Sequence, residues 1–136
     1  MDFNFTTQIC TTKEQTERLL ILGLKKETSD MCLDNMGNVY IYPSTIIEVI
    51  KNDWSLIPLW SLHRLIEMIP ITVPDKSGIT HFFTIDGASD ISYYFFGEED
   101  WEVWRTWNKK ELYDNVIDCI EWLIKEGYFN KKYLKE

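Results

Sequence analysis

The chain has 136 residues, a formal net charge of −8 at pH 7 and 45% hydrophobic residues. This length and composition fit a folded globular protein and exclude an intrinsically disordered one. The excess of 22 Asp and Glu over 14 Lys and Arg repels phosphate backbones, so direct nucleic-acid binding is disfavoured. Residues 1–10 lack the pattern of a signal peptide, and no stretch reaches the roughly 18 apolar residues of a membrane span. We therefore expect a single cytoplasmic domain over residues 1–136, without membrane contact.

The cysteines and histidines give no indication of a metal or redox site. Cys10, Cys32 and Cys119 are odd in number and have no CxxC or Cys/His spacing, which favours reduced structural thiols. His63 and His81 are far apart in sequence. We expect each to be a surface or core-edge residue rather than a base or a ligand.

The first predicted element is a helix over Thr12–Leu22. The pair Thr11-Thr12 stands three residues before Glu14-Gln15, which is the spacing of a capping box. Gly23 then suits the left-handed residue that ends many helices.

Two β-leaning runs, Met31–Asp34 and Val39–Tyr42, flank an Asn/Gly-rich turn and predict a hairpin, which Pro43 closes. The following segment, Ser44–Asn52, fits either a buried strand or a short helix, and we favour the helix.

A second helix is predicted over Ile57–Pro70, with Pro58 in its first turn and Pro70 at its end. Its apolar stripe has the i, i+3, i+4, i+7 spacing of one helix face. The stripe consists of Leu62, Leu65, Ile66 and Ile69.

Strands are predicted over Ile79–Ile85 and Ile91–Phe96, with Trp101–Trp107 as a third strand of the same meander. The last helix is predicted to begin at Asn108 as its cap and to end near Lys125. Together these elements predict an α+β fold, in which an antiparallel sheet with two hairpin regions is packed on one face by two or three helices.

No catalytic or cofactor motif is present: there is no GxGxxG, GxxxxGK[ST] or GxSxG sequence. We therefore assign no catalytic residue, no cofactor and no metal. The carboxylates Asp86, Asp90 and Glu98-Glu99-Asp100 stand beside predicted turns, where Asp commonly serves the backbone. A small carboxylate-based hydrolase using them is kept as an alternative.

Tryptophan is the unusual feature of the sequence. Trp101, Trp104 and Trp107 are spaced by three, and strand alternation predicts Trp101 and Trp107 on one face and Trp104 on the other. One of these faces is expected to be buried, and the other to be covered by Arg105 through a cation–π contact or left as a contact surface.

Trp60 and Trp122 fall away from the apolar stripes of their predicted helices, which makes them candidate interface residues. For Trp122 we favour instead a cover formed by residues 101–107 or by the aromatic C-terminal tail. The candidate interaction surface comprises Trp60, Trp101, Trp104, Trp107 and Trp122. Such a set could also stack sugar rings, but protein contact is favoured.

Three parts of the sequence resemble small proteins of Bacteroides-type gut bacteria, their prophages and related mobile elements: Arg18–Leu24 with Thr28–Met31, Ile57–Ile66, and Cys119–Tyr128. In that group an LLxLGLxxxTADM start, a PAWSLxxLLELLP middle and a (D)xxVEMIxWLxxxG end recur. This chain differs at Ser29 and Leu59, each in place of Ala, and at Met68-Ile69 in the middle motif. The group has no assigned activity, so the resemblance implies a genomic context and no chemistry.

We therefore expect a non-enzymatic interaction protein of phage or mobile-element origin, which binds a protein partner or itself as a homodimer. The alternatives are the hydrolase and an acidic decoy of a nucleic-acid-binding protein.

Overall fold

The computed structural model describes residues 7–41 and 55–136. Two compact units divide the chain, residues 1–64 and residues 65–136. The described residues contain α-helices and two antiparallel sheets, so the predicted α+β class is confirmed. That the whole chain is a single domain stays a prediction. The helix favoured over Ser44–Asn52 lies outside the described residues.

The first helix is confirmed: α1 spans Lys13–Ile21, one residue shorter at each end than predicted. Its N-cap, Thr12, forms the predicted capping box: its side chain accepts from the backbone N–H of Gln15, whose side chain accepts from the backbone of Thr12. Gly23 follows the helix with a φ of 102°, which favours glycine.

The sheet of the first unit has three short strands in the order β2-β1-β3. The strands are β1, Met31–Leu33; β2, Val39–Ile41; and β3, Ile57–Leu59. The predicted hairpin is thus confirmed as β1 and β2. Its turn is held by Asp34, whose Oδ1 accepts the backbone N–H groups of Met36 and Asn38.

The second predicted helix is wrong in its first part. Helix α2 spans only Leu62–Met68, while Pro58 lies in β3 opposite Cys32. An edge strand accepts proline because one side of its backbone needs no partner in the sheet. The helix begins after Ser61, whose hydroxyl accepts the backbone N–H of Arg64. Pro58 therefore belongs to the sheet, although a first helical turn would also have accommodated it.

The second unit contains a four-stranded antiparallel sheet in the order β4-β5-β6-β7. The strands are β4, Thr72–Pro74; β5, Thr80–Asp86; β6, Asp90–Phe96; and β7, Trp101–Trp107. The three-stranded meander is confirmed. Strand β4 was not predicted, because three residues ending in proline carry no periodic signal of their own.

The last helix, α3, spans Leu112–Lys125 and packs against β6 and β7. The predicted cap at Asn108 is wrong, because the N-cap is Glu111. The buried side chain of Asn115 accepts the backbone N–H of Lys110 and donates to the carbonyls of Lys110 and Ser89. A side chain inside the helix thus fixes the preceding loop, a role that the sequence pattern assigned to Asn108.

We predict that Thr12→Ala lowers the free energy of unfolding by about 1 kcal/mol, since it removes the side-chain half of the capping box. Urea unfolding followed by far-UV circular dichroism measures the change. Thr7→Ala, an exposed position before the helix, is the control. Equal losses in the two variants would show that the cap contributes nothing.

Candidate interaction face

The four-stranded sheet of the second unit has one face covered by α3. Along β6, Ile91 and Tyr93 are fully buried and lie on this helix side. Side chains alternate along a strand, so Tyr94 and Phe96 point to the opposite side. We call that opposite side the open face.

Strand β7 contains a bulge that changes which tryptophans share a face. Tyr93 pairs with Arg105, and the next residue of β6, Tyr94, pairs with Val103. Trp104 is therefore an extra residue without a counterpart in β6. A bulge of one residue reverses the alternation on its far side.

The predicted facing of the three tryptophans is wrong for this reason. Trp104 and Trp107 both contact Trp122 of α3, at 5.2 Å and 5.5 Å between ring centroids. Trp101 instead contacts Phe82 and lies on the open face. Strict alternation placed Trp101 and Trp107 together, and the bulge between them separates them.

An aromatic cluster on the helix side surrounds Trp122. Besides Trp104 and Trp107, the rings of Tyr93 and Tyr128 lie 6.1 Å and 5.7 Å from it. The guanidinium of Arg105 stands 5.5 Å from the Trp122 ring, a cation–π contact. The favoured alternative for Trp122, a cover formed by β7 and the C-terminal tail, is confirmed. These rings, of which Tyr93 is fully buried and the others are half-buried, hold α3 on the sheet.

Trp60 also differs from the expectation. It lies between β3 and α2 and is 0% exposed, so it offers no contact surface. Its indole N–H donates to Thr28 Oγ1 at 3.0 Å, and its backbone N–H donates to Thr11 Oγ1. The helical-wheel position assigned to Trp60 does not apply, because α2 begins only at Leu62.

The open face presents a continuous group of apolar side chains to solvent. Trp101 is 51% exposed, Phe96 64%, Phe82 40% and Val103 47%. The ring centroids of Phe82 and Phe96 lie 5.7 Å and 5.4 Å from that of Trp101, both in edge-on geometry. Of the five predicted surface tryptophans, Trp101 is the one that the structure places in an exposed aromatic group. Phe82 and Phe96 were missed, although their alternation with buried residues in β5 and β6 could have indicated them.

A shallow groove of about 510 Å³ crosses the open face. Its lining residues are Phe82, Thr84, Asp86, Tyr94 and Trp101. The hydroxyl of Tyr94 donates to Asp86 Oδ2 at 3.0 Å, and this hydrogen bond raises the pKa of Tyr94. The groove therefore combines three aromatic rings with one oriented carboxylate.

The predicted carboxylate groups stand at the ends of this sheet. Asp86 is exposed, and Asp90, its partner across the hairpin, is half-buried. Glu98, Glu99 and Asp100 are exposed in the β6–β7 turn. A general acid near neutral pH needs a desolvated carboxyl group, and such exposure does not provide one.

His81 is more deeply buried than predicted, at 1% exposure. Its Nε2 donates to Asp75 Oδ2 at 2.9 Å, and its ring stacks on Trp104 at 3.8 Å between centroids. Oδ1 of Asp75 accepts the backbone N–H groups of Ser77 and Ile79, so one carboxylate fixes both the turn and the ring. Nδ1 of His81 has no hydrogen-bond partner among the described residues.

The described residues contain no group of His, Cys, Asp or Glu that could hold a metal ion, and Cys10, Cys32 and Cys119 form no disulfide. Within residues 7–41 and 55–136, no helix has the length and apolar character needed to cross a membrane. Comparison of the chain with protein-family models, with curated proteins and with solved structures finds no match. Inferences about function therefore depend on the geometry of the chain itself.

We predict that Trp104→Ala lowers the free energy of unfolding by about 2–4 kcal/mol, because its ring supports both His81 and α3. Trp101→Ala, on the same strand, is expected to cost about 1 kcal/mol or less, because its ring lies at the surface. Urea unfolding monitored by circular dichroism compares the two. Equal losses would mean that Trp101 is also part of the core.

We predict that Asp75 makes stability depend on pH on the acid side. The hydrogen bond with His81, with those from the Ile79 and Ser77 amides, lowers the pKa of Asp75. A carboxyl group whose pKa is lowered by folding stabilises the folded state at pH values above its pKa in the unfolded chain, about 3.9. This stability is lost as pH falls through the pKa of the folded state. Thermal unfolding of Asp75→Asn should therefore differ most from wild type well above the unfolded pKa and converge with it as pH falls through the folded pKa. A difference independent of pH would contradict this assignment.

Proposed function

We propose that the chain is a non-enzymatic interaction protein that binds a protein partner through the open face. The observation that carries this proposal is the exposure of Trp101, Phe96 and Phe82 on the sheet face opposite α3. Exposure of a contiguous apolar surface to water is energetically unfavourable, and in folded proteins such a surface commonly marks a contact site. Tryptophan in particular is enriched among the residues that dominate binding energy.

The support beneath this face favours a preformed site. Tyr93 lies between Phe83 of β5 and the aromatic cluster around Trp122, and its hydroxyl donates to the carbonyl of Pro70. Strands β5 to β7 are thus packed on the helix side of the sheet. A rigid face loses little conformational entropy on binding, so more of its contact energy appears as affinity.

The genomic context is a separate proposal. On the resemblance of its three segments, we propose that the chain serves as an accessory protein of a phage or mobile element. Candidate partners are then proteins of the same element and of its host, with self-association as the simplest further arrangement. The acidic-decoy hypothesis stays open, and the exposed carboxylates do not favour the hydrolase.

Site-specific photo-crosslinking tests the proposed face. A benzophenone side chain in place of Trp101 should give a discrete adduct in lysate of the source organism. The same group in place of Ile21, an 85% exposed residue of α1, is the matched control and should give none. Sedimentation equilibrium of the purified protein distinguishes a homodimer from a foreign partner.

We predict that Trp101→Ala weakens binding of the captured partner about 30-fold, which corresponds to the loss of about 2 kcal/mol typical of a central aromatic contact. Ile21→Ala should leave the affinity unchanged. Identical affinities for both variants, or adducts from both crosslinking positions alike, would contradict the proposal.

A further inference from the structure

We propose that the open face binds a cationic, extended segment of a partner protein, in which Arg or Lys side chains alternate with apolar ones. The inference rests on the proposed function and adds the chemistry of the partner. Three features support it: the charged residues of the face are acidic, the groove combines aromatic rings with a carboxylate, and two copies of the face would repel each other.

The charged positions of the open face are all acidic. The register of the sheet places the following strand residues on this side: Thr72, Pro74, Thr80, Phe82, Thr84, Asp86, Asp90, Ser92, Tyr94, Phe96, Trp101, Val103 and Thr106. Neither Lys nor Arg is among them. The one arginine of these strands, Arg105, lies on the helix side against Trp122.

The acidic groups stand at both ends of an apolar centre. Asp86 and Asp90 lie at the β5–β6 end, and the turn of Glu98, Glu99 and Asp100 lies at the β6–β7 end. The two ends are about 20 Å apart, since β5 rises about 3.3 Å per residue. An extended segment of six to eight residues spans this distance. It would meet carboxylates near its ends and aromatic rings in its middle.

The groove provides two contacts suited to a guanidinium or ammonium group. The rings of Trp101 and Tyr94 can attract a cation through their faces. Asp86, in the same groove, already has Tyr94 as a donor and can pair with a cation beside it. Apolar side chains of the segment would cover Phe82 and Phe96.

A second depression, of about 820 Å³, extends the acidic surface beyond Phe96. It is lined by the three carboxylates of the β6–β7 turn and by Glu102. A side chain at Gly97 would come within 2.8 Å of the Glu102 carboxyl group, so this glycine lets the carboxylate lie against the turn. The three turn carboxylates supply negative potential at this end of the open face, and Glu102, which pairs with Phe95, adds to it from the helix side.

A second copy of the chain fits this face poorly. A symmetric dimer joins identical patches, so each end of the face would meet an end of its copy. Both ends are acidic, and either orientation of the strands would place carboxylates opposite carboxylates without a cation on the face between them. A basic partner removes this repulsion; the net charge of −8 attracts it to the protein, and the carboxylates at the two ends attract it to this face.

Binding of three synthetic octapeptides tests the inference. The first alternates Arg with Leu, the second replaces Arg with its neutral isostere citrulline, and the third replaces it with Glu. Fluorescence anisotropy of labelled peptides gives Kd at 20 and 200 mM NaCl. We expect the Arg peptide to bind at least tenfold more tightly than the citrulline peptide, and more weakly at the higher salt.

Variants locate the binding on the chain. Trp101→Ala should weaken binding of the Arg peptide at least tenfold, and Asp86→Asn about three- to tenfold. Ile21→Ala and Glu14→Gln, both exposed on α1, are matched controls and should change nothing. Trp101→Phe keeps an aromatic ring and should retain most of the affinity, which distinguishes loss of contact from loss of fold.

Three results would overturn the inference. Equal affinity for the Arg and citrulline peptides would reduce the face to an apolar contact, while the proposed function would stand. Arg-peptide binding that is insensitive to Trp101→Ala would be non-specific attraction to an acidic protein. Absence of binding by all three peptides would exclude an extended segment in which Arg or Lys alternates with apolar side chains. Crosslinking at position 101 would then test the proposed function separately.

Discussion

A single extra residue in β7 controls the side-chain arrangement on both faces of the four-stranded sheet. Because Trp104 has no counterpart in β6, the strand changes phase between Val103 and Arg105. Trp104, Arg105 and Trp107 are thereby directed to the helix side, and Trp101 and Val103 to the open face. Without this shift, Trp101 would be directed to the same side as Trp107, and the aromatic group of the open face would lose its centre.

The two aromatic groups of the sheet differ in their exposure to solvent. On the helix side, rings from β6, β7, α3 and the C-terminal tail cover one another, so their apolar area leaves water when the chain folds. On the open face, Trp101 has ring partners beside it and solvent above it. About half of the Trp101 side chain remains exposed to solvent, and this exposure is the physical basis of the proposed interaction.

Several local features of the fold follow directly from sequence patterns. The capping box at Thr12 and the glycine after α1 depend on contacts within a few residues, so their spacing is sufficient to identify them. The same holds for β5 and β6, whose β-branched and aromatic residues indicate strands. The predictions for Pro58 and Asn108 were wrong because each residue suits two local structures, and contacts distant in sequence select between them: Cys32 in the first case and the Asn115–Ser89 pair in the second.

The sequence by itself determined the α+β class, most of the strands and helices, the acidic charge and the absence of common catalytic motifs. It also identified tryptophan as the unusual feature of the composition. Only the tertiary structure decided which tryptophans are exposed, since burial depends on strand register, on the bulge at Trp104 and on the packing of α3. Such contacts join residues far apart along the chain, so the local periodicity of the sequence does not indicate them. The structure thus reduced five candidate tryptophans to Trp101 and added Phe82, Phe96 and Asp86 beside it.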